Sequence, residues 1–515
     1  MVTKLQHFAE LRPDEAALLD ERGETSWAEA NERTNRLVAL LRSSGLEAGD
    51  AVAILSGNAR EVFEAFCACA HASFVAVPIN WHFAEEEVRY VLENSDARAL
   101  LVDSRFAELG AAAAERLPLA LRVVWGTESS AGLTPYEQAL ASQRSTEPDG
   151  QGEGSVMFYT SGTTGRPKGV RRTAGLGAPI EAVSPRSQGF SALLGIPANG
   201  VTLVCGPVYH SAQWAFSSFP LEIGSSLVLR HRFDAVETLD LIDRHKVTNV
   251  HLVPTQFVRL LRVEESVRVR FDGSTLIQVL HGAAPCAPSV KRQMIDWWGP
   301  VISEYYGGTE GGVISVISAR EWLERPTSVG RPSPTVEVKI LDEDGKTCEP
   351  GVSGQIYLRS LMATDFEYHK DTEKTAGVYR EPGLFTMGDI GQVDEEGYLY
   401  LTDRKIDMII SGGVNIYPAE IERVLGDHSA VADVTVFGVP HEEFGEEVKA
   451  VVEVAPGVEP GQDLADELVG YCRQHLAGYK APKSIDFREL PRQATGKLMK
   501  RALRDEYWRD ADRTI

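Results

Sequence analysis

The sequence predicts an α/β protein: a large amino-terminal domain of two doubly wound α/β lobes with a β-rich subdomain, then a small α+β carboxy-terminal domain. Three observations carry this. Short β-branched runs alternate with amphipathic helical stretches as far as about Tyr305, the rhythm of parallel strands joined by crossover helices. From about Thr335 that rhythm gives way to alternating strands punctuated by Gly and Pro. Finally, 515 residues exceed what one hydrophobic core organises.

The elements follow in order. Ser26 and Glu29 have the spacing of a capping box before the amphipathic run Trp27 to Leu41, and Gly45 supplies a left-handed stop. The strand AVAIL, a helix near Arg60 to Ala72, the strand FVAVP, a helix near Glu85 to Leu92 and the strand RALLVD make the first lobe. SVMFYT, VTLVCG, SLVLRH, NVHLV, LIQVLH and VISEY read as buried strands of the second, with helices at Ala235 to His245 and Ser289 to Trp298. TVEVKI and GQIYLRS form the β-rich unit. YLYLTDRKIDMII then leads into the last domain, so the boundary falls at Asp403 to Ile406 and the domains are 1–403 and 404–515.

Lys plus Arg number 52 against 74 Asp plus Glu, a net charge of -22, which argues against a nucleic-acid or anionic-membrane partner. A phosphate site must therefore be built locally, from backbone N–H groups and a few cations. The opening residues mix acids and bases without the apolar core of a secretory signal, which predicts a cytoplasmic protein. The apolar stretch Val62 to Pro78 is broken by Glu64 and His71, too short and polar to span a bilayer. Six cysteines lie scattered without C-x-x-C spacing and read as reduced, mostly buried thiols.

The strongest local signal is YTSGTTGRPKGV, Tyr159 to Val170. Gly162, Gly165 and Gly169 let the backbone aim N–H groups inward, Thr160, Ser161, Thr163 and Thr164 add hydroxyls, and Lys168 adds charge for a polyphosphate. It is not a Walker loop, because Pro167 precedes Lys168 and Gly169 follows it. The plainer alternative is a Gly- and Thr-rich surface loop.

This segment resembles the phosphate loop of the acyl-adenylate-forming superfamily, which includes acyl-CoA synthetases, beetle luciferases and the adenylation domains of nonribosomal peptide synthetases. Further segments resemble its motifs in the family's order: HGAAP (His281 to Pro285), EYYGGTE (Glu304 to Glu310), FTMGDIG (Phe385 to Gly391), TDRKIDMIISGGVNIYP (Thr402 to Pro418) and PRQATGK (Pro491 to Lys497). The resemblance implies ATP, Mg²⁺ and coenzyme A acting on a small-molecule carboxylic acid. Its carboxylate would attack the α-phosphorus of ATP in line, so catalysis would be charge neutralisation and positioning.

Residue by residue, the resemblance puts the phosphates against Thr160, Ser161, Gly162, Thr163, Thr164, Gly165 and Lys168. The adenine slot would come from Gly282, Ala283, Ala284 and Pro285 with Glu304, Tyr305, Tyr306 and Gly307. Thr309 would contact the α-phosphate, Glu310 and Thr164 would hold Mg²⁺, and Asp389 with Arg404 would take the ribose hydroxyls. Lys497 would bridge the carboxylate and the α-phosphate as a compact cation. The small domain would be mobile, turning about a pivot just after Arg404 to withdraw Lys497 and to bring Gly412 and Gly413 to a pantetheine arm. At the pivot Ile406 stands where many family members carry Lys or Asp.

PVYHSAQW, Pro207 to Trp214, resembles the segment beside the acyl group, which makes His210 a candidate catalytic contact; a core or capping histidine is the other reading. VPTQF, Val253 to Phe257, would line the acyl channel and Trp214 would close it, which suits an apolar fatty, aryl or sterol-derived acid rather than acetate. The expected activity is that of an AMP-forming acyl-CoA synthetase. The alternatives are an acyl-AMP ligase serving a carrier protein and a non-catalytic nucleotide-binding homologue, and a second copy of the chain is a candidate partner.

Overall fold

The computed structural model describes residues 4–127, 132–160, 167–172, 175–181, 184–362, 365–404, 407–411, 414–441, 444–476, 478–492 and 498–509. The first lobe is a parallel six-stranded sheet in the order Thr134–Pro135, Leu121–Trp125, Ala97–Asp103, Ala51–Leu55, Val75–Ile79, Ser155–Val156. Its strands are apolar on both faces because both are covered. Val52, Ile54 and Leu101 pack with the helices Trp27–Ser43 and Arg60–His71, whereas Ala53, Leu55 and Leu100 pack with Glu85–Asn94 and Ala107–Ala114. A period of two turned against two helical layers is what the sequence pattern dictates. Ser26 caps the first of these helices, accepting from the Glu29 backbone N–H at 3.2 Å.

The second lobe is built on parallel strands ordered Ala16–Asp20, Ser226–Leu229, Val201–Val204, Asn249–Leu252, Gln278–His281, Ile302–Gly308. The strand Ala16–Asp20 was not foreseen. It forms a hairpin with Gly23–Ser26 and reaches past the first lobe to pair Leu18 with Leu227.

From Ile302–Gly308 onward the sheet turns antiparallel, through Gly312–Ser318 to Ser328–Pro332, and Ser328–Pro332 also pairs with Leu399–Arg404. The β-rich unit, with Asp389–Val393, Gly354–Ser360 and Val336–Leu341, is therefore laced edge-on to the second lobe in one fifteen-stranded sheet.

SVMFYT is two strands rather than one. Ser155–Val156 closes the first sheet, and Phe158–Thr160 enters a separate three-stranded sheet with Lys168–Arg171 and Glu367–Tyr368. Gly169 lies opposite Tyr159, where a Cβ would stand 3.0 Å from Met157 Sδ and 3.1 Å from the Tyr159 ring, so a side chain there would press on both neighbours.

After Leu399–Arg404 the next described strand, Ile409–Ser411, belongs to another sheet, ordered Val414–Ile416, Ile409–Ser411, Gly445–Val454, Val431–His441, with Ser484–Phe487 alongside Gly445–Val454. Ile421, Leu425, Val436, Val452 and Leu468 form its core under the helices Pro418–Gly426 and Gln462–His475. The pivot position Ile406 lies outside the described residues. All six cysteines are free, and among the described residues no helix is long and apolar enough to cross a membrane.

Candidate functional site

At the carboxyl ends of the parallel strands, where the sheet changes from parallel to antiparallel, a cavity of about 3120 Å³ opens. Its wall includes Thr160, Lys168, His210, Ala283, Tyr306 and Asp389, and it extends to Lys500 of the carboxy-terminal unit. Ile302–Gly308 organises it, because alternation along the strand sends Tyr305 and Tyr306 to opposite faces. Tyr306 donates to Asp389 Oδ2 at 2.6 Å. Asp389 is the register partner of Arg404, so three expected site residues converge on one place.

Past the strand end, Thr309 Oγ1 and Ser211 Oγ are hydrogen-bonded at 2.8 Å, and Glu310 Oε1 accepts from the Tyr368 hydroxyl at 3.0 Å. Arg172 donates to the Glu310 carbonyl. The turn cannot carry a side chain at Gly307, whose Cβ would lie 2.1 Å from the Gly312 carbonyl oxygen.

Opposite that turn, Lys168 and Thr160 face each other at the base of the glycine-rich hairpin. Lys168 Nζ lies 3.7 Å from Asp371 Oδ2. On the same side, burial and the like charge of Lys168 push Lys374 down to about 8. Ser161, Gly162, Thr163, Thr164 and Gly165 lie outside the described residues, as do Gly412, Gly413 and Lys497.

HGAAP leaves the strand Gln278–His281 with Gly282 buried and Ala283, Ala284 and Pro285 exposed. Ala283 holds φ at 65°, a left-handed conformation unusual for alanine, and a Cβ at Gly282 would stand 2.7 Å from the Tyr305 carbonyl oxygen. Beneath them, fully buried Lys291 donates to Glu304 Oε2 at 2.6 Å, with His281 Nε2 at 3.7 Å from the same oxygen. Burial pulls Lys291 down and Glu304 up while each partner pulls the other back. Burial and the Lys291 charge hold His281 well below the ordinary imidazole range, so it is neutral. The Glu304 carboxylate is thus engaged with Lys291.

His210 sits at the N-cap of the helix Ser211–Glu222 without a side-chain capping bond, and its ring lies 4.6 Å from that of Tyr209. Trp214 packs edge-on against Phe158 and Phe219 at 5.6 and 5.2 Å. The reading of VPTQF needs a correction: Val253 to Gln256 line the cavity, but Phe257 is fully buried in the core against His281. These residues open the helix Pro254–Leu261, and helical rotation turns Phe257 inward with Leu260.

Sequence reasoning missed Ser211, Arg172, Tyr368, Lys374 and the Lys291 support. Lys291 had a signal: on Pro288–Trp298 it lies three and four residues before Met294 and Ile295, on the apolar face, where a cation needs a partner. Also missed was His251, a polar residue inside the buried strand Asn249–Leu252.

A family model for AMP-binding enzyme matches residues 5–364, and one for the AMP-binding enzyme C-terminal domain matches residues 420–497. The chain is 33% identical to a 3-oxocholest-4-en-26-oate–CoA ligase of Rhodococcus rhodochrous, over 98% of this chain and 95% of the relative. It is 30% identical to a fatty acid–[acyl-carrier-protein] ligase of Streptomyces coeruleorubidus, over 100% and 98%. Among solved structures it resembles o-succinylbenzoate CoA synthetase from Bacillus subtilis in complex with its acyl-adenylate intermediate, with a TM-score of 0.80, 29% identity and 98% of each chain covered.

Proposed function

The chain belongs to the AMP-binding enzyme family, and from that premise we propose that it is an AMP-forming acyl-CoA synthetase acting on an apolar fatty, aryl or sterol-derived acid. A carboxylate oxygen attacks the α-phosphorus of ATP, the bond to the β-phosphate oxygen breaks, and diphosphate leaves. The thiol of coenzyme A then attacks the acyl carbonyl, AMP departs with the carbonyl–oxygen bond pair, and the thiol proton goes to solvent.

One observation above all supports this reading: Tyr306, Asp389 and the Arg404 position meet at one end of the cavity, while Thr309, Glu310, Lys168 and Lys374 gather around the adjoining turn. The first group suits a nucleoside, since an ionised carboxylate accepts from vicinal hydroxyls. The second suits its phosphates, with cations beside a hydroxyl and a carboxylate. Mg²⁺ fits the donor chemistry, because Glu310 and phosphate oxygens are a hard oxygen set, and the bound ion supplies neutralisation of phosphate charge. Lys497 supplies the bridging cation of the first half-reaction, and Gly412 and Gly413 make room for pantetheine in the second. Trp214, Phe158, Phe216 and Tyr209 give the acid an aromatic wall, and the relatives named above act on sterol and fatty acids.

The test is a panel of fatty, aryl and sterol acids with ATP and Mg²⁺, following diphosphate release with and without coenzyme A. Acid-dependent diphosphate release and a thioester formed only with coenzyme A are expected. Adenylate formation with no thioester from coenzyme A would move the acceptor to a carrier-protein thiol, the chemistry named for the Streptomyces relative. An absence of AMP with every acid would refute the reading.

A further inference from the structure

Deep in the cavity three side chains, each more than nine-tenths buried, form a relay: Gln213, His251 and Tyr305. Gln213 Nε2 lies 2.7 Å from His251 Nδ1 and donates to the His251 carbonyl oxygen at 3.3 Å. With the amide oriented so that Nε2 faces both atoms, it can only donate, and Nδ1 is then assigned as an acceptor without a proton. Burial pushes His251 down to about 3, so the ring is neutral and its one proton sits on Nε2. Nε2 therefore donates to Tyr305 Oη, 3.1 Å away.

That assignment leaves the proton of the Tyr305 hydroxyl to be directed elsewhere. It remains on the oxygen, because burial raises the phenol far above its ordinary value. Among the described residues Oη makes one hydrogen bond, the one to His251. The ring cannot swing to find one: it lies against Gly282, where a Cβ would meet it at 2.6 Å, and beside Phe216 at 5.0 Å, while Phe216 stacks on His251 at 4.6 Å. The result is a fixed donor on a residue that lines the cavity, and an acceptor carried by whatever fills the cavity would satisfy it.

Its position says which part of an acid it meets. Thr309 and its partner Ser211 mark the phosphate end. Tyr305 lies four residues back along the strand, on the order of 10 Å at strand rise. Phe216, against its ring, lies five residues into the helix beyond Ser211, about 7.5 Å along the axis. The Tyr305 and Phe216 backbones therefore lie along the cavity wall from the phosphate end.

We propose that Tyr305 donates a hydrogen bond to an oxygen carried along the acid away from its carboxylate, so that the site selects keto-, ether- or hydroxyl-bearing acids over their hydrocarbon counterparts. The inference rests on the reading of the cavity as a carboxylic-acid site. His251 and Gln213 act as positioning residues, fixing the direction of the donor.

The test uses matched acid pairs that differ in one oxygen, such as 4-methoxycinnamate with 4-ethylcinnamate, and a series of oxo-octanoates with octanoate. Each is assayed with ATP, Mg²⁺ and coenzyme A by diphosphate release. The wild-type enzyme should favour the oxygenated member of at least one pair by about 10- to 100-fold in kcat/KM. Tyr305→Phe should shrink that preference, slowing the oxygenated acid more than its counterpart. Equal rates within every pair for the wild type, or equal slowing of both members by Tyr305→Phe, would overturn the inference while leaving the acid-activating reading intact. Diphosphate release with no acid at all would overturn both. Should Tyr305→Phe not fold, the wild-type pairs decide alone: a preference supports the inference and its absence overturns it.

Discussion

Replacing Lys291 by Met should destabilise the protein by about 3–5 kcal/mol near neutral pH, the usual cost of leaving one charge of a buried pair without its partner. The side chain is fully buried, its Nζ lies 2.6 Å from Glu304 Oε2, and the neighbouring His281 is neutral and cannot take its place. Met fills nearly the same volume, so little packing is lost, and what remains is a buried carboxylate that nothing compensates. Glu304 already has its folded pKa raised by burial, with Lys291 opposing the rise. Without the ammonium that pKa climbs further. A carboxyl with a raised folded pKa contributes stability that is complete below its unfolded value and is lost as pH rises through the folded one. The deficit of Lys291→Met relative to wild type should thus be small in acid and grow toward neutrality. The double variant Lys291→Met, Glu304→Gln should recover most of it, because the stranded charge is gone. Calorimetric melting of the three proteins across pH reads this directly. A single variant that melts with the wild type at neutral pH, or a deficit that is larger in acid, would refute the reasoning.

Four other outcomes are expected. Tyr306→Phe removes the donor held against the Asp389 carboxylate, and with charge-assisted bonds contributing about 1.5–3 kcal/mol, the nucleotide Kd measured by calorimetry should rise about tenfold or more; unchanged affinity would detach the pair from the nucleotide. Gly307→Ala forces a Cβ to within 2.1 Å of the Gly312 carbonyl oxygen, so the hairpin must shift and diphosphate release should collapse. Lys374 is pushed down to about 8 and carries its charge below that value, so ATP affinity should fall as pH rises through it; Lys374→Met should be weaker at neutral pH and flat across the same range. Lys497→Ala should nearly abolish adenylate formation while sparing thioester formation from preformed acyl-adenylate, and equal loss of both half-reactions, followed separately, would remove Lys497 from its assigned place.

The doubly wound lobes were legible because their strands and helices differ in hydrophobic period and Ser26, Glu29 and Gly45 punctuate them locally. The expected nucleotide motifs were legible because their glycines answer to backbone geometry, as Gly307 and Gly282 do. What stayed hidden depends on distant partners. Nothing near Ala16–Asp20 announces that it will pair with Leu227 and Val228, and nothing in FEYHKD announces that Tyr368 will reach Glu310. SVMFYT has uniform strand character, and its division at Met157 comes from two sheets competing for its backbone. Phe257 was misplaced because an aromatic residue beside a cavity was read by composition, whereas helical rotation decides which way it faces.

The last strand of the long sheet has two masters. Leu399–Arg404 is stitched to Ser328–Pro332 on one side, with the Ser328 hydroxyl donating to the Leu399 carbonyl at 3.0 Å, and to Asp389–Val393 on the other. It is also the stalk from which the carboxy-terminal unit departs. Any swing of that unit pulls first on a strand clamped along both edges, so the load is spread into the sheet before it reaches Tyr306 and Asp389. Were the tail to pivot there, it would turn on a stiff root without shaking what the root holds.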